Sequence, residues 1–443
     1  MTPQPSPAAT NNTLEAGPAT AAPVGRFARL PQLAGRSFLP LGLFARLPLA
    51  MLTVGTLTLV TSVSSSYAIG GTAAGAVGIG SALGAPMLGA LADRRGQRPV
   101  LLVAAVLNTL AVVSLIVAAT TMGEAGGFPV FVLATAFLAG ASCPQVGPLA
   151  RVRWMALASR GVPADNNRDL DTALSYESTA DEVTFVLGPA LVGILASLLA
   201  PWLPLALAAA MTITLVPAFA SHPTHRSVPI SRRSAGSGSA AQEPAAKKLP
   251  PAVILPVVAM VCMGTFFGST QAALSAFSAG FGGSELAGLL YAAMGLSSAA
   301  AALSVAYWPR RFSLPLRWMV SAFAMAALAV LLLLPTSLGA MVAVLLVLGL
   351  PVGPVMVTVF SVGGMVAPAR RLGTVMTALA SGIVAGTALG SSIGGQLAQT
   401  SGYAAAFIVP VAAALALALL GAAAAVGLRP KDPGATDAPR TAA

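Results

Sequence analysis

The chain has 443 residues, of which 56% are apolar and only 8% are Asp, Glu, Lys or Arg. A soluble domain carries about 25% charged residues, so this chain cannot clothe a water-facing surface of its size, and a soluble multidomain enzyme is excluded. The net charge of +11 raises nucleic acid as a partner, but the basic residues fall in short clusters between long uncharged runs, a signal of membrane topology rather than a phosphate-binding face.

Residues 1–38 are rich in Ala, Pro, Thr and Gly and read as a disordered cytoplasmic tail. No apolar run precedes Arg26, Arg29 and Arg36, so no cleavable signal peptide is expected. Six apolar segments follow within 39–220: Pro40–Ser62, Ala68–Ala92, Val100–Ala119, Phe128–Ala150, Ala173–Ala200 and Leu203–Ala220. Residues 221–251 are rich in Ser, Pro, Gly and Ala and read as a flexible cytoplasmic linker. His222 and His225 fall in it, where a metal site is not expected. Six more segments occupy 252–428: Ala252–Phe277, Leu286–Tyr307, Trp318–Leu334, Leu338–Val362, Thr374–Ala398 and Ala404–Leu428, followed by a cytoplasmic tail, 429–443. A span needs about 20 residues and must satisfy its own backbone polar groups in hydrocarbon, so each is expected to be helical.

Charge tests the count. With the N-terminus cytoplasmic, every Lys and Arg except Arg46 falls in a tail, an inner loop or the linker. One missed or invented span would invert all later loops and spoil this sorting. The expected fold is therefore an all-α integral membrane protein, with twelve transmembrane helices in two six-helix bundles around a central cavity. The two cysteines, Cys143 and Cys262, lie inside apolar runs, which gives neither a disulfide framework nor a zinc spacing.

Between the second and third spans stands Gly89-Ala90-Leu91-Ala92-Asp93-Arg94-Arg95-Gly96-Gln97-Arg98. It resembles the G-x-x-x-D-R-x-G-x-R signature of the major facilitator superfamily, at the loop where that family carries it, and the six-plus-six arrangement agrees. The corresponding loop of the second half, Trp308-Pro309-Arg310-Arg311, keeps the basic residues and lacks the Gly and Asp pattern. The resemblance implies that Gly89, Asp93, Arg94, Gly96 and Arg98 form a cytoplasmic gate, with a charge network reaching the eleventh helix. A purely topogenic basic cluster is the other reading, and it leaves the spacing of Gly89, Asp93 and Gly96 unexplained. The resemblance also places helices 2 and 11 face to face across the halves. Gly382, Gly386, Gly390 and Gly394, four residues apart, are then expected at that contact, as either a sliding surface or static close packing.

The fifth span carries Glu177, Asp181 and Glu182, followed by Gly188-Pro189 and Gly193, a weak likeness to a helix 5 motif of family antiporters. Charges within a span cost about 2.5–3.5 kcal/mol each on insertion scales and usually line a cavity. Arg46 is the basic residue at similar depth, so pairing with Asp181 or Glu182 is expected. Two roles stand side by side: proton coupling by Asp181, Glu182 and Arg46, or an interfacial ion pair that fixes helix ends.

The family fold further implies a central path lined by helices 1, 4, 7 and 10. Those helices offer Thr53, Thr56, Gln145, Thr265, Phe266, Gln271 and Met356 as cavity residues, with no charge on the last three helices. Such a lining suits a small, largely apolar molecule. In one departure, Ala136 stands where many family drug exporters carry an Arg four residues before a glycine, here Gly140. The expected function is secondary active transport by alternating access, proton-coupled efflux first, with uptake of a small neutral nutrient as the alternative. Less expected is a membrane enzyme or a non-transporting receptor; no His lies in any span to supply acid-base chemistry. Membrane lipid, a small-molecule substrate and protons are the expected partners of a monomeric, multi-pass cell-membrane protein with both termini cytoplasmic. No nucleic acid, cofactor, metal or catalytic residue is expected.

Overall fold

The computed structural model describes residues 25–122, 129–160, 163–230, 250–281, 286–309 and 311–427. The expectations for 1–24, 231–249 and 429–443, with Arg232, Arg233, Lys247, Lys248 and Arg310, lie outside the described residues. Within them no strand occurs, and twelve helices are long and apolar enough to cross a membrane. They are α1 Phe38–Ser64, α2 Ile69–Arg95, α3 Gln97–Thr120, α4 Val130–Ala158, α5 Asn166–Leu198 and α6 Leu203–Ser221. The second half comprises α7 Pro251–Ala279, α8 Leu286–Tyr307, α9 Leu314–Leu333, α10 Leu338–Val366, α11 Ala369–Ala406 and α12 Ile408–Gly427. All twelve fall where the apolar segments are read from sequence.

Part of the expected tail is helical. Arg26–Arg29 is a short 3-10 turn running into the helix Leu30–Ala34, because Leu30, Ala34 and Phe38 are buried in the first-half core. Residues expected in the linker also form regular structure: Pro223–Ser227 is a 3-10 turn with Thr224 and Ser227 buried. His222 bonds Ser37 at 3.2 Å and packs on Phe38.

Two helices break where proline removes a backbone donor. In α1 the break falls at Arg46, ahead of Pro48. In α4 the helix stops at Ala141 and resumes at Val146, across Pro144. Irregular backbone at membrane depth is tolerated where protein or a water-lined cavity surrounds it, and Cys143, Pro144 and Gln145 are buried. The resumed part of α4 carries Arg151 and Arg153, both buried, inside the bundle rather than in the loop that the sequence suggests. The fourth helix is therefore charged, contrary to expectation.

Small residues organise each half, on different partners from those expected. Gly382, Gly386, Gly390 and Gly394 face α7 of their own half, against Val257, Val261, Thr265 and Ser269. A Cβ at Gly386 would collide with the Val261 carbonyl. Those four glycines are intra-half packing, because the face of α11 at their register is turned towards α7 and a different face meets α2. In the first half Gly80 and Gly84 sit against α4, and Gly349 and Gly353 of α10 sit against α8, the same contact repeated in the second six helices.

The halves touch at the basic end and part at the other. On α2, Gly89 lies against Gly373 and Thr377 of α11, whereas nothing stands within 4 Å of a Cβ at Gly78, Gly75 or Gly71. On α11 the face of Thr377, Ser381 and Val384 continues to the exposed Ala388, with open space at Gly395. Further contacts close the basic end. Arg317 of α9 reaches Asp171 of α5 at 3.3 Å. Arg26 donates to the Ala306 carbonyl and lies 5.0 Å from the Tyr307 ring.

Candidate functional site

At the closed end, Asp93 finishes α2 and caps α11. Its carboxylate accepts the backbone N–H of Gly373 at 2.8 Å, the N–H of Thr374 at 2.7 Å and the Thr374 hydroxyl at 2.7 Å. The first N–H groups of a helix have no intrahelical partner, and an anion there is favoured by the helix dipole. Gly89 lets the two backbones approach, and Gly96, at φ +90°, makes the turn into α3. Arg94 and Arg98 are exposed and make no ion pair among the described residues. The contact expected as a charge network is carried instead by one carboxylate on two backbone N–H groups and one hydroxyl of α11, with Arg94 and Arg98 exposed.

Above this contact lies a buried network of four charges. The break at Arg46 lets its side chain fold back, with Nε donating to the Gly42 carbonyl at 2.9 Å. Arg46 Nη2 meets Glu177 Oε2 at 2.5 Å and Nη1 meets Asp181 Oδ1 at 2.8 Å. Arg151 Nη2 takes the other Asp181 oxygen, Oδ2, at 2.6 Å. Trp154 Nε1 donates to Glu177 Oε1 at 2.8 Å. Glu177 and Asp181, one turn apart on α5, thus face α1 and α4 together. Two cations and two carboxylates cancel, and the Arg151 guanidinium lies 3.8 Å from the Phe360 ring of α10 in the other half.

Glu182 does not join this network. One position on, it turns to the opposite half, where the Ser298 hydroxyl of α8 donates to Oε1 at 2.8 Å. It is buried at 8% exposure and has no cation within ion-pair distance among the described residues. Next to it Thr179 donates to the Ala299 carbonyl at 3.1 Å, and Val186 packs at Gly295. The Phe267 and Tyr291 rings stand 6.4 Å apart edge to face on the same side of the second half.

The seven expected cavity residues separate. Thr53 and Gln271 are exposed, Thr53 lying seven residues beyond Arg46 on one helical face. Gln145 lines a cavity of about 50 Å³ together with Ser81, Arg151, Asp181, Phe360 and Ser381. Thr265 sits against Gly386 and Gly390. Thr56 is buried with its hydroxyl on the Leu52 carbonyl, and Phe266 and Met356 are buried in the second-half core. Assigning a helix to the path does not assign its face: Phe266 is buried, while its partly exposed neighbour Phe267 packs against Tyr291 of α8. Arg151, Ser298, Phe360 and Ser381 do not stand out in the sequence. For Arg151 the signal is present in the restart of an apolar pattern after Pro144.

Two six-helix halves, closed at one end beneath a cavity walled by both, define a carrier-type membrane protein. A family model described as Major Facilitator Superfamily matches residues 38–381 and 257–442, and the chain belongs to that family. It is a multi-pass membrane protein with a transporter fold. The human organic anion transporter MFSD10 (TETRAN) has a similar structure, with TM-score 0.67 and 19% identity over 89% of this chain and 99% of that one. A bacterial homologue of the iron transporter ferroportin, in an outward-facing state, gives 0.62 and 14% over 88% and 99%. The E. coli fucose:proton symporter FucP gives 0.60 and 14% over 87% and 99%. At these identities the likeness is one of fold. No curated protein sequence matches the chain.

Proposed function

We propose that the protein exports a small, largely apolar molecule in exchange for protons, by alternating access across the cell membrane, with its basic end and both termini in the cytoplasm. The open end then faces outside, and Asp93 on α11 holds the cytoplasmic side shut. One observation carries the coupling: Glu182 lies buried between the halves on a single hydroxyl, while Glu177 and Asp181 are each matched by guanidinium groups. A carboxylate without a cation in a low-dielectric site is the group that gains most by taking up a proton. When the halves separate at α5 and α8, Glu182 meets water and ionises; when they rejoin, it is desolvated. Arg46 and Asp181 serve in this reading as a charge-neutral anchor for α1, α4 and α5.

The apolar part of the walls supports efflux as the direction. Leu49, Phe185, Phe360, Ile383 and Val384 line the inner cavity, which suits a molecule that already crosses bilayers unaided, so that only its removal needs a carrier. The test uses inside-out vesicles loaded with a fluorescent pH indicator. Adding a panel of apolar compounds to energised vesicles is expected to discharge the proton gradient with wild type and not with Glu182→Gln. Equal discharge by the variant contradicts the role of Glu182, and no discharge by any compound with wild type contradicts proton exchange.

A further inference from the structure

Arg26 and Arg29 bracket a 3-10 turn, three residues apart, a spacing that puts both side chains on one face. That face lies across the seam between α5 and α8, where Leu170 and Leu174 pack on Ala302 and Val305. Arg29 Nη2 pairs with Asp169 of α5 at 3.2 Å. Arg26 reaches α8 of the other half, donating to the Ala306 carbonyl and lying 5.0 Å from the Tyr307 ring. Phe27 packs on the same ring, with centroids 6.1 Å apart. Ala306 stands in the last turn of α8, where carbonyls lack intrahelical partners and the helix dipole favours a cation.

The segment that carries these arginines belongs to the first half. Leu30, Ala34 and Phe38 are buried in that half's core, and the Phe38 ring stacks on Phe219 and meets Trp154 edge-on. Gly35, at φ +91°, turns the short helix Leu30–Ala34 towards α1 beside the His222 ring. The segment therefore travels with the first half, and Arg26 must leave α8 whenever the halves part at the basic end. Asp93 and Arg26 are counterparts: one caps the start of α11, the other the end of α8, each a side chain of the first half on a helix end of the second. We propose that residues 26–38 form a strap that latches α8 to the first half and lowers the population open at the basic end. Tyr307 is 60% exposed, so the strap peels away from an edge and leaves both cores intact. A cation at an exposed helix end and a cation over an exposed ring are each modest contacts, which makes the strap a brake rather than a lock. The latch goes beyond the transport reading and needs from it only that the basic end opens.

Spin labels at Arg95 of α2 and Arg370 of α11, in full-length protein in lipid nanodiscs, report the open fraction from outside the strap. Arg26→Ala is expected to raise the long-distance population about fivefold over wild type. Tyr307→Ala, on the other half, is expected to raise it less, since the Ala306 carbonyl remains, and to add little when combined with Arg26→Ala. Arg36→Ala removes an exposed cation of the same segment and is expected to change nothing. An open fraction in Arg26→Ala equal to that of wild type overturns the latch. So does an equal rise in Arg36→Ala, or full additivity of Arg26→Ala and Tyr307→Ala. A rise in Arg26→Ala that is the same at every pH, beside a wild type that also ignores pH, leaves the latch standing and contradicts the role of Glu182.

Discussion

The two halves share an architecture and differ in what they bury. The first encloses Arg46, Arg151, Arg153, Asp169, Glu177 and Glu182. In the second, Arg317 is the one buried charge among the described residues, and the largest apolar cluster fills the space between α7, α9, α10 and α12. Hydrocarbon makes every unpaired charge expensive, so the first half pairs Arg46 and Arg151 with Glu177 and Asp181 and gives Arg153 neutral acceptors in Gln97, Thr224 and the Phe219 carbonyl, leaving Glu182 as the exception, while the second half need only exclude gaps. Chemistry that depends on charge is thereby concentrated on one side of the carrier. The opposing side supplies Ser298 and Phe360 as plain contacts that can be left and regained.

Substitutions that act on one half and spare the other sharpen this contrast. Arg46→Ala has the largest expected effect: Glu177 loses its ion pair and Asp181 one of two, at a cost of about 3–5 kcal/mol for a broken buried pair. A sharply lower melting temperature in detergent checks it, and an unchanged one breaks the comparison. Gly386→Val is the counterpart in the second half, where the new side chain overlaps the Val261 carbonyl. Overpacking costs about 1–3 kcal/mol, and the same melting assay is expected to rank it below Arg46→Ala. Asp93→Ala removes a helix cap worth about 1 kcal/mol, expected to raise solvent access at the basic end several-fold, as read by labelling a cysteine placed at Thr374. Glu182→Gln is expected to change stability least, because the amide still accepts from Ser298, while flattening the dependence of transport on pH.

Much of the fold is legible in the chain because two independent patterns, apolar length and the sorting of cations, agree on twelve crossings. The pairing of Arg46 with Asp181 is legible for a similar reason, since only opposite charges at like depth can meet in hydrocarbon. What stays hidden depends on helix rotation. Gly382 to Gly394 announce a close contact but not its partner, and Phe266 and Phe267 are indistinguishable until the face of α7 is known. Arg151 is obscured by Pro144, whose break makes a helix end look like a loop.

The most direct measurement places spin labels at the basic ends of α2 and α11, at Arg95 and Arg370, and records their separation in nanodiscs as pH is varied. If Glu182 exchanges the proton that permits opening, the distance distribution shifts between short and long populations with pH in wild type. In Glu182→Gln it stays fixed. A distribution that ignores pH in wild type, or that shifts equally in the variant, contradicts the role given to this carboxylate.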